Sequence, residues 1–259
     1  MTSGSRELTI AKTVGTHINT DEELKARKQK SNAAFNNLYR IFNLSAATKT
    51  KTKISFYNAF VLPLLTYNIG TIPFKKEQIK QLDQLHRRHL RIIRGERWGN
   101  GNFSANAEIY ELTKSRPISV LATQRRWELL GHILRRDKGT PANQSMITYY
   151  KHQAGEIRPE ATARSRQLTT MPNVLNRDIK SIGPLSRQYF NSKELQKGAD
   201  LDRLRQAAQN KKKWQDGSNE IANKAMKTWS TEEHERLKGK YGAAYVIFGH
   251  PRTGHQVTL

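Results

Sequence analysis

Three groups of residues have types and spacings that could carry chemistry. His86 and His89 stand three apart, a spacing at which two imidazoles on one helix face can share a metal ion. Glu23, Leu24 and Lys25 fit the E-x-K half of a restriction-type nuclease motif. Gly95, Gly99 and Gly101 crowd a short loop and raise the question of a phosphate cradle. Each group lacks what should accompany it. Both histidines project onto the apolar arc of the helix they would occupy, and no Asp or Glu completes a metal set, so they read as core or boundary residues. The Glu23 segment reads as helix, with no upstream aspartate on a strand. The glycine spacing matches neither G-x-G-x-x-G nor the P-loop, and no strand precedes it, so it reads as a plain linker. There is no HExxH, and no YxDD or FxDD turn whose aspartates would hold two Mg²⁺. With no cysteine, thiol catalysis, disulfides and Cys-containing zinc modules are excluded. The expectation is a chain with no catalytic residue, no metal site, no cofactor and no small-molecule substrate.

What the sequence does supply suits phosphate. Lys and Arg total 45 against 22 Asp and Glu, for a formal net charge of +23. An excess of that size favours a polyanionic partner through attraction to phosphate and release of its counterions. The cations cluster as Lys75-Lys76, Arg87-Arg88, Arg125-Arg126, Arg135-Arg136 and Lys211–Lys213. At about 100° per residue, KEQIKQLDQLHRRHLRIIR (76–94) divides into two faces. Ile79, Leu82, Leu85, Leu90, Ile92 and Ile93 fall on one apolar arc, and Lys76, Lys80, Arg87, Arg91 and Arg94 on a narrow stripe opposite. Like charges stacked on a helix destabilise it by a few tenths of a kcal/mol per pair, so a one-sign ridge implies something anionic outside. A second helix, PISVLATQRRWELLGHILRR (117–136), places Arg125, Arg135 and Arg136 on its exposed side. Arg126 projects onto its apolar arc, where a buried guanidinium needs a carboxylate or a phosphate. Gly131 in its interior implies close approach of another backbone. Such contacts would position a nucleic-acid strand without reading its bases.

The elements that must position these residues are helices. Residues 1–19 read as a loose tail. Thr20 with Glu23 is a capping-box pattern opening a helix to about Asn43. A helix over 54–62 should kink or end at Pro63. After the basic helix come a glycine loop (95–103), a short helix (105–113) and the helix opened by Pro117. Composition changes over 137–170, read as a linker with a short helix at 145–152. Helices follow at 171–183, 185–197, 200–214 and 219–229, with Ser230 and Glu233 capping a last one. Tyr245–Phe248 is strand-like but has no evident partner. The fold class is all-α: irregular helical bundles with flexible tails and a central linker. The divisions expected are a basic helical domain over 20–136, the linker, a second small helical region over 171–230 and a tail over 231–259. The longest apolar run, Ala59–Leu65, is too short to span a bilayer, and the N-terminus has no secretory pattern. The expectation is an intracellular protein, nuclear or cytoplasmic, with no membrane partner.

The block NLYRIFNL…TKISFYNAFVLPLLTYNIGTIPFKKEQIKQLDQLHRRHLRIIRG…ANAEIYELTKSRPISVLATQRRWELLGHILRR resembles the region just after the polymerase core in LINE-type (non-LTR) retrotransposon reverse transcriptases. Tyr67, Gly70, Leu82, Asp83, His86, Arg87, Arg88, Leu90, Arg91, Ile93 and Gly95 fit the first half of that family's pattern. Pro117, Ile118, Arg125, Arg126, Leu129, Leu130, Gly131, His132, Leu134 and Arg135 fit the second. ARSRQLTTMPNVLNRDI (163–179) is similar to the segment that often follows. The likeness covers about residues 31–230, and Leu129–Arg135 is its most specific part. Ile72 stands where a tryptophan is usual, and Ser104-Ala105-Asn106 carries one inserted residue. The resemblance implies a thumb-like helical bundle that grips template RNA and target DNA. The family's RNA-directed DNA polymerase activity resides in fingers and palm, which are missing here, as are its endonuclease modules. Three functions follow as alternatives: a non-catalytic nucleic-acid-gripping fragment, part of an active polymerase whose palm lies elsewhere or acts in trans, or a remnant without a role.

Overall fold

The computed structural model describes residues 12–13, 16–17, 19–39, 41–42, 48–96, 104–153, 171–192 and 198–242. Among them are eleven α-helices and one antiparallel pair of two-residue strands, so the fold is all-α as expected. The pair, β1 (Lys12–Thr13) with β2 (Thr16–His17), lies inside the expected loose tail. The helices are α1 (Thr20–Asn37), α2 (Thr50–Phe60), α3 (Leu62–Thr66), α4 (Lys76–Ile93), α5 (Asn106–Thr113) and α6 (Ile118–Arg135). They continue as α7 (Pro141–Gln153), α8 (Met171–Ser181), α9 (Leu185–Phe190), α10 (Gly198–Gln209) and α11 (Lys211–Tyr241). The chain forms two compact units. Unit 1 takes residues 1–122 and 229–259, and unit 2 takes residues 123–228. The sequence-based division fell at 136/137, where composition changes. The compact units divide instead within α6 and within α11, because the apolar face of α6 beyond Ala122 buries into the unit 2 core.

In unit 1, α1 opens on Asn19, whose side chain accepts from the amides of Asp21 and Glu22. The cap is thus one residue earlier than the Thr20 box implied. Glu23, expected to bond back, instead meets Arg27 at 2.7 Å. Arg27 is buried and also donates to the carbonyls of Leu65 and Tyr67, so it closes the C-terminal end of α3. The α2 helix stops at Phe60 and α3 begins at Leu62. Pro63 then sits in the first turn of α3, where a missing N–H leaves nothing unsatisfied. Leu24, Leu65, Ile69, Leu82, Leu85, Ile118 and Ala122 form one core cluster. The end of α4 has a specific lock. Gly95 takes φ +76°, its N–H reaching the Ile92 carbonyl and that of Glu96 the Arg91 carbonyl, both at 2.9 Å. This six-to-one, five-to-two closure needs the left-handed residue that glycine supplies without strain. Of the expected glycine loop, residues 97–103 lie outside the described residues.

Unit 2 is built on three aromatic rings. Phe190 lies 4.7 Å from Trp127 and 4.9 Å from Trp214, and the two indoles are 5.9 Å apart. Gly131 makes room for this cluster. A Cβ there would lie 2.3 Å from Trp214 Nε1. What approaches Gly131 is therefore an indole rather than the backbone expected, and that indole donates to the Trp127 carbonyl at 2.8 Å. Arg126 finds the carboxylate it needs in Asp178, which also accepts from Trp127 Nε1. Part of the expected linker is ordered into the core. Met146 and Tyr150 of α7 are buried, and the Asn143 amide donates to the carbonyls of Ile133, Arg136 and Asp137, closing α6. Residues 154–170 lie outside the described residues. Asn210 caps α11 through Lys213 N–H, dividing the expected 200–214 helix in two. Ser230 starts no new helix, since α11 runs unbroken through it to Tyr241. Tyr245–Phe248 lie outside the described residues.

Candidate nucleic-acid interface

The buried face of α4 is the one its periodicity implies. Leu82, Leu85, Leu90 and Ile93 are buried. His86 and His89 are buried with them, and neither is placed to share an ion. His86 Nδ1 and the Tyr57 hydroxyl pair at 2.7 Å. The His89 ring stacks on Phe35 at 4.1 Å, with Nε2 paired to Asn32 Oδ1 at 3.0 Å. Burial pushes His86 down to about 3, with His89 and Arg87 adding repulsion. Burial and the neighbouring Arg88 push His89 down to about 4. Both rings are neutral and structural near pH 7. Asp83, on the same helix, accepts from the Ile118 N–H and so caps the start of α6. Burial raises its carboxyl to about 6, against the opposing pull of Arg87 and the amide bonds from Ile118 and Ser119. Among the described residues no group of three His, Cys, Asp or Glu could hold a metal ion.

The expected ridge on α4 divides into two halves. Lys76 is exposed, and Lys80 is exposed beside Glu77 at 2.8 Å. An ion pair so open to water contributes little. The C-terminal half faces inward. Arg91 keeps 11 % of its side chain exposed, and its Nη2 donates to Ser104 O at 3.0 Å and Asn106 Oδ1 at 2.9 Å. Arg94 Nε meets Glu96 Oε1 at 2.8 Å, and Glu96 also accepts from the Ser104 amide and hydroxyl. Arg87 is half-buried with Nη1 3.5 Å from the Tyr110 hydroxyl. These three arginines fasten the start of α5 to α4, so they do not line a solvent-facing ridge. Periodicity places them on a stripe opposite the core but cannot show that a later segment returns to cover it.

The second expected ridge does not form as a row. Arg125 is exposed but held by Glu128 at 2.7 Å. Arg135 donates to the Ala208 carbonyl at 3.1 Å, closing the C-terminal end of α10. Arg136 is exposed.

The structure adds cations that the sequence reading passed over. In unit 1, α1 runs beside α4 in the same direction. Gln78 Nε2 bonds Thr20 Oγ1 and Asp21 Oδ1 near their starts, and Asn32 meets His89 farther on. Between these contacts Lys28 Nζ reaches Gln81 Oε1 at 3.2 Å. Lys25 stands one turn before Lys28, and Arg88 two turns beyond Gln81 on the same line of α4. Lys25 and Arg88 are exposed. Lys25, Lys28 and Arg88 thus lie along one seam, while exposed Lys76 and Lys80 stand about 100° or more round α4 from it, on the stripe of Arg87, Arg91 and Arg94. Beyond its first turn α1 has no carboxylate, and Glu77 is the one exposed carboxylate on α4. A signal for this seam was present in the sequence: no Asp or Glu occurs anywhere from Leu24 to Lys76, a stretch with ten lysines and arginines.

Comparison with known proteins leaves the chain without a named neighbour: no family model, no curated protein and no solved structure matches it. No helix among the described residues is long and apolar enough to cross a membrane.

Proposed function

We propose that this chain is a non-catalytic nucleic-acid-binding element, related to the thumb-like region of LINE-type reverse transcriptases, that grips the sugar–phosphate backbone. The observation that carries this reading is the α1–α4 seam of Lys25, Lys28 and Arg88, with Lys76 and Lys80 exposed on another face of α4. Beyond Asp21, Glu22 and Glu77 in the first turns of its two helices, the seam carries cations and no carboxylate among the described residues. Charges left solvated and unopposed repel one another unless an anion meets them. Backbone phosphate supplies that anion at regular intervals, and lysine and arginine contacts to it are indifferent to sequence. The Asn19 cap and the Arg27–Glu23 pair hold the first half of α1, and the Gly95 closure holds the end of α4.

The test is equilibrium binding of the full chain to a fluorescein-labelled 20-mer, as RNA and as DNA, at 100 mM salt. The triple variant Lys25→Glu, Lys28→Glu and Arg88→Glu should lose about 100-fold or more in affinity while keeping the far-UV dichroism of the parent. Unchanged affinity in a folded triple variant would sink the proposal.

A further inference from the structure

Five large apolar side chains stand exposed among the described residues, and four of them are aromatic: Tyr39 at 49 %, Phe56 at 36 %, Phe60 at 57 % and Tyr67 at 52 %. All four fall inside the acid-free stretch from Leu24 to Lys76. Single exposed apolar residues are ordinary and need no explanation. Exposed rings gathered into the one long segment that carries cations and no carboxylate are a pattern.

The rings of Phe56 and Phe60 give this pattern a geometry. They lie on α2 one turn apart, with centroids 6.2 Å apart and planes within 17° of parallel. The buried side of α2 is narrow, comprising Lys53, Ile54 and Tyr57. Lys53 is used internally, donating from Nζ to the Phe42 carbonyl at 2.9 Å. Lys49, the extended N-cap of α2, and Lys51 in its first turn are both exposed. The exposed side of α2 therefore opens on two cations and carries two near-parallel aromatic faces one and two turns on. A partner protein surface would be met as well by large aliphatic side chains, which this side lacks. Two aromatic faces beside unopposed lysines match unpaired bases on a phosphate backbone, because every base has a π-face and every linkage a negative charge.

We propose that Phe56 and Phe60 form a stacking platform for unpaired bases, flanked by Lys49 and Lys51, so that the protein favours single-stranded over duplex nucleic acid of any sequence. The proposal rests on the reading above that the chain binds nucleic acid. It adds a second surface to the α1–α4 seam, one that contacts bases rather than phosphates.

The experiment compares the full chain with the Phe56→Leu/Phe60→Leu variant, since leucine keeps apolar area and removes the π-face. Each is titrated onto a single-stranded 20-mer containing 2-aminopurine and onto the duplex of the same sequence. The parent should bind the single strand more tightly and change the 2-aminopurine emission on binding. The variant should lose about tenfold or more on the single strand, lose the emission change, and keep both its duplex affinity and the salt slope. Phe56→Trp/Phe60→Trp should restore single-strand affinity. Unchanged single-strand affinity in the leucine variant, or an equal loss on both forms, overturns the platform while leaving the seam standing. Failure of the parent to bind either form overturns both readings. A parent that sediments as a dimer and a variant that is monomeric with unchanged nucleic-acid affinity would assign the rings to a second copy of the chain and overturn the platform.

Discussion

The helices α4 and α6 are each eighteen residues long, and each carries an Arg-Arg pair in its interior. Their arginines nevertheless have different surroundings. On α6, Arg125 faces Glu128, Arg126 faces Asp178, and Arg135 closes the end of α10. On α4, the inward arginines fasten α5, while Arg88 is left at the surface on the line that faces α1, and Lys76 and Lys80 are exposed on another face. What separates the two helices is the charge of the segments packed on them. Unit 2 returns acids to α6 from α8 and from its own next turn. The segment that packs on the outer edge of α4 is α1, which has no acid after its first turn. An arginine pair in a sequence is thus a donor set awaiting a partner, and the rest of the chain decides whether that partner is internal.

This contrast sets the expected effects of substitution. The largest is on binding. Charge reversal along the seam should weaken nucleic-acid affinity about 100-fold, whereas Arg125→Glu with Arg136→Glu should weaken it less than about threefold. Parallel anisotropy titrations decide it, and equal losses would erase the distinction between the helices. Next is Gly131→Ala, which forces the Trp214 indole out of its seat against α6. Even with the helix-propensity gain of alanine, unit 2 should lose about 2 kcal/mol in urea unfolding. Arg91→Ala should act on stability in the same way, by about 2 kcal/mol, because it strips a half-buried Asn106 and Ser104 of their donor. Its effect on affinity should be small. If affinity falls and stability holds, the C-terminal half of α4 is part of the interface after all.

The smallest effect concerns pH and sharpens the account of the buried face of α4. His86 and His89 have folded values near 3 and 4, below the ordinary 6.5. Each therefore contributes stability that is present above pH 6.5 and lost as pH falls toward its folded value. Asp83 has the opposite sign. Its folded value near 6 exceeds the ordinary 3.8, so its contribution is present at low pH and lost as pH rises to 6. Between pH 4 and 6 the two histidines outweigh the one carboxyl. From these three groups unfolding should take up about one proton net, so they make stability fall by about 1.4 kcal/mol per pH unit on acidification. Asp178, raised by burial, subtracts from this, and Glu233, held low against its burial by Arg236 and Asn106, adds to it. Asp83→Asn keeps an acceptor for the Ile118 amide and removes the offset, so it should roughly double that slope. Urea unfolding at pH 4.5, 5.0 and 5.5 checks it, and a slope unaffected by the substitution would mean that Asp83 is ionised in the folded protein.

Much of this was legible in the sequence wherever the signal was local. The apolar arc of α4 carried its two histidines into the core, and Pro63 marked the change from α2 to α3. The place of Arg126 on the apolar arc of α6 called for a carboxylate, and Asp178 supplies it to a half-buried guanidinium. Features decided by distant segments were not legible. The fate of Arg91 depends on α5 returning to it, and that of Arg135 on where α10 ends. Gly131 announced a close approach but could not name Trp214. Between Asn19 and Thr20, two adjacent good caps, only the backbone decides. The seam itself was missed because Arg88 lies off the stripe drawn on α4 alone, and α1 supplies the rest.

The salt dependence of binding tests the central claim most directly. The full chain would be titrated onto a single-stranded 20-mer at five salt concentrations between 50 and 250 mM. Three phosphates met by the seam, or five with Lys76 and Lys80, predict a log–log slope between about −2 and −3.5, at about −0.7 for each phosphate. A slope near zero, or no saturable binding at the lowest salt, would contradict the assignment of these helices to a phosphate backbone.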